Sequence, residues 1–123
     1  MSTPNPRILP QILYIEDSDE SRALVRRLLS KKYVVLEAAD PLDGLPLAEE
    51  TNPSLILLDH NLPHMTGSEA ATRLKKMLPN TPIVIVSADT SPGARERALA
   101  AGAVGFISKP IDDDFEDLVD AYL

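Results

Sequence analysis

Cysteine and tryptophan are absent from this chain, the aromatic residues are three tyrosines and two phenylalanines, and no long apolar run occurs. Without cysteine there is no disulfide framework, no thiolate metal centre and no thiol nucleophile, which fits a reducing compartment. With so few aromatics, the core has to be built from Leu, Ile, Val and Ala. Nothing approaches the roughly 20 apolar residues that span a bilayer. The opening ten residues, three of them proline, contain no signal-peptide apolar region. A cytoplasmic location without membrane contact is therefore expected. Positive charge is also short: the net charge is -7 at pH 7, which argues against nucleic-acid binding because phosphate backbones demand cation-rich patches. The cations are partly clustered, with Arg22, Arg26, Arg27, Lys31 and Lys32 against Asp19 and Glu20 in residues 18 to 32. A solvated helix face explains that cluster more simply than a docking surface does.

At 123 residues, 44% of them hydrophobic, the chain suffices for one sizeable core and not for two. Residues 1 to 10 read as a flexible lead and 11 to 123 as the folded domain. Ile12, Leu13, Tyr14 and Ile15 form a short strand that ends abruptly in Glu16, Asp17, Ser18, Asp19 and Glu20. Carboxylates favour a first helical turn and serine can cap it, so a helix follows over about 19 to 30. Its buried stripe is Leu24, Val25, Leu28 and Leu29. Tyr33, Val34, Val35 and Leu36 make a second strand. Asp40 followed by Pro41 is a cap with proline at the first helical position. Pro46, however, has no N–H for the carbonyl four residues back, at a cost of roughly 3 kcal/mol or more. The second helix is thus expected to be irregular at Pro46: kinked, short, or displaced to begin there.

Leu55, Ile56, Leu57 and Leu58 are an unbroken apolar run, the signature of a strand covered on both faces. Asp59 closes it, and Pro63 and Gly67 make the next segment a loop. A helix over 68 to 78 follows, with Ala70, Ala71, Leu74, Met77 and Leu78 on one side. Ile83, Val84, Ile85 and Val86 form the fourth strand, ending in Ser87. Ser91-Pro92 restarts a helix through about Ala101, where Gly102 stops it. Residues 104 to 108 are a short fifth strand, and Asp112 to Asp114 open a last helix with Phe115, Leu118, Val119 and Tyr122 as its apolar positions. Strand and helix alternating in this way require right-handed crossovers and a doubly wound α/β fold: one parallel five-stranded sheet with helices on both faces.

Parallel strands bring their carboxyl ends to one edge, where open α/β sheets place their ligands. Glu16, Asp17, Asp59, Ser87 and Lys109 therefore gather there. Crowded carboxylates repel unless a cation intervenes, and an all-oxygen cluster suits a hard divalent ion such as Mg2+. A carboxylate nucleophile, Mg2+, a lysine and a hydroxyl together suit phosphoryl transfer, which depends on positioning and on neutralising charge on the equatorial oxygens. The plainer alternative, that Asp59 merely opens a turn or caps a helix, leaves this convergence unexplained.

Glu16-Asp17, Asp59 with Leu62-Pro63 and Gly67 behind it, Ser87-Ala88, Phe106 and Lys109-Pro110, in this order and spacing, resemble the response-regulator receiver domain. That family is the CheY-like phosphorylation switch of two-component signalling, and the resemblance runs from residue 12 to 122. It implies a flavodoxin-like strand order 2-1-3-4-5 and Asp59 as the phosphoacceptor for a histidine kinase or phosphotransfer protein. It also implies Glu16 and Asp17 on the side of Mg2+ (or Mn2+), the Asn61 backbone carbonyl as a further metal ligand, and Lys109 on the phosphate. Ser87 and Phe106 would be a switch pair, the hydroxyl swinging to the phosphate and the ring filling the space it leaves. Lys109-Pro110 would be a cis peptide. Such a domain catalyses only its own phosphoryl uptake and hydrolysis. Two features depart from the pattern: Ser87 lacks the methyl of the threonine in many relatives, which would restrict its rotamer, and Pro46 is out of place. Water for hydrolysis would meet Asn61 and Asp89, two residues beyond the nucleophile and two beyond Ser87; an amide and a carboxylate can both orient it. With Met1 at the start and Leu123 closing the last helix, the chain is expected to lie N-terminally and to carry no output domain. Its output partner is unknown. The last helix, without Lys or Arg, would place like charges together in a symmetric pairing, so a monomer is expected.

Other chemistries fit less well. A phosphatase of the haloacid-dehalogenase type wants a second acid where Asn61 stands. A flavin-binding module needs a phosphate cradle after the first strand, and the acidic run there would repel phosphate. A receiver-like interaction scaffold that works without phosphorylation leaves the acid pair, Asp59 and Lys109 without a purpose. His60 and His64, with Pro63 between them, read as solvated loop residues and not as metal ligands or a catalytic base.

Overall fold

The structure is a computed structural model and describes residues 9–123; the expected flexible lead falls mostly outside them. In chain order the elements are β1 (Gln11–Ile15), α1 (Asp19–Leu29), β2 (Val34–Ala38), α2 (Pro41–Thr51), β3 (Leu55–Asp59), α3 (Gly67–Met77), β4 (Ile83–Ser87), α4 (Ala94–Ala100), β5 (Gly105–Ser108) and α5 (Phe115–Asp120). The strands pair in parallel as β2-β1-β3-β4-β5. The doubly wound, flavodoxin-like fold with that strand order is therefore the observed one. Every residue of β3 and β4 is buried, as their unbroken apolar runs require, and each fully buried Leu, Ile or Val contributes about 1.5–3 kcal/mol.

One face of the sheet packs Leu45, Ala48, Ala70, Ala71, Leu74 and Ala98 from α2, α3 and α4. The other packs Val25 and Leu29 of α1 with Phe115 and Val119 of α5. Small alanines on the first face and three rings, Tyr14, Tyr33 and Phe115, on the second let an aromatic-poor chain close both layers. Leu118 belongs to neither layer: it stays 40% exposed. No described helix is long and apolar enough to cross a membrane.

Three helices differ from expectation, one in its course and two in their starts. Asp40 does cap α2, accepting from the Leu42 amide at 2.6 Å, but the helix neither stops nor restarts at Pro46. It runs unbroken from Pro41 to Thr51, because Pro46 and Leu42 both lie on the exposed side, where water can serve the unpaired carbonyl. Ser91 does not cap α4; the helix begins after Gly93, whose φ of 86° no L side chain adopts readily. Asp89 Oδ1 has taken the Ser91 amide at 2.8 Å, an Asx-type bond that holds residues 89 to 91 outside the helix. The last helix begins at Phe115, after a turn in which its amide bonds to the Asp112 carbonyl. α3 carries an N-cap that the loop reading passed over: Thr66 Oγ1 accepts from the Glu69 amide at 3.1 Å and donates to the Glu69 carboxylate.

Candidate functional site

Register sets the site. Ile15 lies opposite Leu58, Asp59 opposite Val86, and Ser87 opposite Ser108, so Glu16, Asp59, Ser87 and Lys109 all emerge at the same edge. The carboxylate oxygens of Glu16, Asp17 and Asp59 come within 4.8 Å of one another. Lys109 Nζ reaches into this group, 2.7 Å from Glu16 Oε1 and 3.2 Å from Asp59 Oδ1. Glu16 and Asp59 are buried and Asp17 is exposed, so the cluster has a dry floor and an open mouth. The Lys109–Pro110 peptide is cis.

Burial, with Asp59 alongside, pushes the Glu16 carboxyl above its ordinary pKa despite Lys109. Burial pulls the Lys109 ammonium down, but Glu16 and Asp59 outweigh it and its net shift is upward. Glu16 holds its proton harder chiefly because it is buried, and Lys109 because two carboxylates face it. Three carboxylates face one ammonium, which leaves two negative charges, as many as one divalent cation neutralises. Glu16 Oε2 is buried without a protein donor. An all-oxygen set with an orphaned carboxylate oxygen fits a hard cation. The cluster can therefore hold a metal ion, with Glu16, Asp17 and Asp59 as the residues within reach.

The loop after Asp59 is folded back over it. The Gly67 amide donates to the His60 carbonyl at 2.8 Å, and Asn61 bridges to Thr66. A Cβ on Gly67 would stand 2.6 Å from the Asp59 carbonyl oxygen, so only glycine lets the start of α3 approach the end of β3 this closely. His64, at φ 72°, reaches Asp40 Oδ2 through Nδ1 at 3.1 Å. It pins the loop to the start of α2, while the acid cluster includes neither histidine.

Ser87 is buried, and its Oγ accepts from the Asp89 amide at 3.0 Å. Phe106, on the neighbouring strand and the same face of the sheet, is half-buried and lines a cleft of about 260 Å³ with Thr90, Ala94 and Arg95. The Asp89 carboxylate is engaged with the Ser91 amide and lies 3.6 Å from Arg97 Nη2. Asn61 is exposed at the mouth. Two participants escaped sequence reasoning. Arg97 clamps the β4–α4 loop through Asp89 and Ser91. Arg22, assigned to the solvated face, donates to the Glu16 main-chain carbonyl at 2.7 Å. Its i, i+3 spacing from Asp19 was the available signal.

A sequence model of the response regulator receiver domain matches residues 12–122. The chain belongs to the response-regulator receiver family. Among solved structures, this receiver superposes on the chemotaxis response regulator CheY4 of Vibrio cholerae with a TM-score of 0.87 and 28% identity, covering 94% of this chain and 100% of that one. Among curated relatives it is 36% identical over 105 residues to protein-glutamate methylesterase/protein-glutamine glutaminase 2 of Koribacter versatilis, covering 81% of this chain and 29% of that protein. It is 30% identical over 107 residues to hybrid signal transduction histidine kinase D of Dictyostelium discoideum, covering 85% of this chain and 7% of that protein. The receiver thus spans under a third of the first relative and under a tenth of the second. It is a receiver domain of two-component signalling, and its acidic pocket fits a phosphorylation site.

Proposed function

We propose that this receiver accepts a phosphoryl group on Asp59 from a histidine kinase or phosphotransfer protein, with Mg2+ (or Mn2+), and thereby changes its partner-binding surface. The observation that carries the reading is the Lys109 ammonium between the two buried carboxylates, beside an exposed Asp17, with two negative charges left over. Asp59 attacks the donor phosphorus. The phosphorus–nitrogen bond of a phosphohistidine breaks, its electron pair returns to the imidazole, and an acyl phosphate forms. Glu16, Asp17, Asp59 and the Asn61 carbonyl would hold the metal, which supplies charge neutralisation on the phosphoryl oxygens. Lys109 does the same from the other side.

Ser87 Oγ would leave the Asp89 amide to donate to the phosphoryl group, and the Phe106 ring would turn into the space vacated. Hydrolysis breaks the phosphorus–oxygen bond to Asp59, with Asn61 and Asp89 orienting the water. The domain, residues 11 to 123, then catalyses only its own uptake and loss of phosphate, in the cytoplasm and as a monomer. The acids of α5 support the monomer, since a pairing of α5 with its own copy would set them against one another. A test is the phosphoryl mimic fluoroberyllate. With Mg2+ it should shift the NMR resonances of both Ser87 and Phe106 in the wild type, and neither in Asp59→Asn. A scaffold that works without phosphorylation would show no such shifts in either.

A further inference from the structure

Arg22 is the cation of α1 that turns inward: its side chain is 15% exposed, against 55% for Arg26. Its guanidinium joins three parts of the fold. Nη1 donates to the Glu16 carbonyl at 2.7 Å, Nη2 pairs with Asp19 at the start of α1, and Nε lies 3.5 Å from Glu37 Oε1 on β2. The carbonyl it holds belongs to the peptide that links Glu16 to Asp17. A peptide unit is planar, so fixing its oxygen sets the direction in which Asp17 leaves the strand and the position of Glu16 behind it. A lysine ammonium cannot reproduce this, because the planar fork serves several acceptors at once in fixed directions.

We propose that Arg22 is a positioning residue for the acid pair: by holding the Glu16–Asp17 peptide it sets where both carboxylates stand toward a divalent cation. The inference rests on the metal-dependent reading given above. Its sign separates it from simple electrostatics. Removing a positive charge beside an acid cluster would by itself tighten cation binding, whereas loosening the ligands weakens it. Groups that orient metal ligands from outside typically account for a ten- to hundredfold difference in affinity.

The experiment is calorimetric titration of the full chain with Mg2+, for the wild type, Arg22→Lys and Arg22→Met, alongside thermal unfolding and the NMR resonance of the Asp17 amide without metal. Both variants are expected to bind Mg2+ about tenfold more weakly. In both, the Asp17 amide should shift or broaden before any metal is added, and lysine should give no full rescue. Should Arg22→Met fail to fold, Arg22→Lys decides alone. Tighter binding by Arg22→Met with Arg22→Lys unchanged would leave only a charge effect and overturn the proposal. Wild-type affinity in Arg22→Lys together with an unshifted Asp17 amide would overturn it as well. A wild type that takes up no Mg2+ would overturn the functional reading itself, an outcome distinct from the other two.

Discussion

Buried beneath the strand ends, Glu16 gives one carboxylate oxygen to Lys109 and has no protein donor for the other. Because its pKa is raised in the folded state, its contribution to stability is full below the ordinary carboxylate value and is lost as pH rises through the raised one. Ionising Glu16 in the metal-free cluster therefore weighs against the fold, and a bound cation should relieve it. Mg2+ at a hundredfold excess over its dissociation constant would stabilise the native state by about 2.7 kcal/mol. Thermal unfolding should show a Mg2+-dependent rise in Tm at neutral pH that shrinks as pH falls through the carboxylate range and is smaller in Glu16→Gln. An equal rise in acid and at neutral pH would contradict this. For hydrolysis, Asn61 is exposed at the mouth whereas the Asp89 carboxylate is committed to Ser91 and Arg97. After donor removal, phosphorylated Asn61→Met should decay several-fold more slowly than wild type, and Asp89→Leu should change decay less. If neither substitution slows the decay, these side chains do not position the water.

The positions of the helices were legible where a cap and an apolar stripe agreed, as in α1 with Ser18 and with Val25 and Leu29. They were misjudged where a side chain acted outside its own helix. Asp89 spends its carboxylate on the Ser91 amide and so delays α4 to Gly93, a competition that no periodicity records. Pro46 looked disruptive because its missing bond is local, while its exposure depends on which face of α2 the sheet covers. The basic cluster of α1 was likewise only half read. Arg22 and Arg26 pair with Glu37, and Lys32 pairs with Asp120 and Glu116, partners that lie far along the chain. Lys32, with the Tyr33 hydroxyl, ties α5 to the turn before β2. Lys32 and Tyr33 hold the Asp120 carboxyl below its ordinary pKa, so its stabilising effect is present above that value and is lost as pH falls through the lowered one. Burial, aided by Asp120, pushes the Tyr33 hydroxyl up to about 12, so the tether also survives mildly alkaline conditions. Asp120→Asn should lower Tm at neutral pH, with a deficit that closes in strong acid. A deficit as large in acid as at neutral pH would show that the charge contributes nothing.

For the molecule as a whole, the sheet was the most legible feature, because two unbroken apolar runs of four residues and a regular alternation with helices leave few topologies open. Topology in turn carried the site: residues 16, 17, 59, 87 and 109 are dispersed in sequence and meet only because all five strands run the same way. What topology cannot convey is which neighbours those side chains choose, and so the Arg22 anchor and the Arg97 clamp emerged only with the side chains in place. We propose above that this edge serves the phosphorylation of Asp59. The most direct measurement is intact mass spectrometry after incubation with acetyl phosphate, with and without Mg2+. The wild type should gain one acid-stable, hydroxylamine-labile phosphoryl group only when Mg2+ is present, and Asp59→Asn should gain none; incorporation that survives both the substitution and chelation of the metal would contradict the assignment.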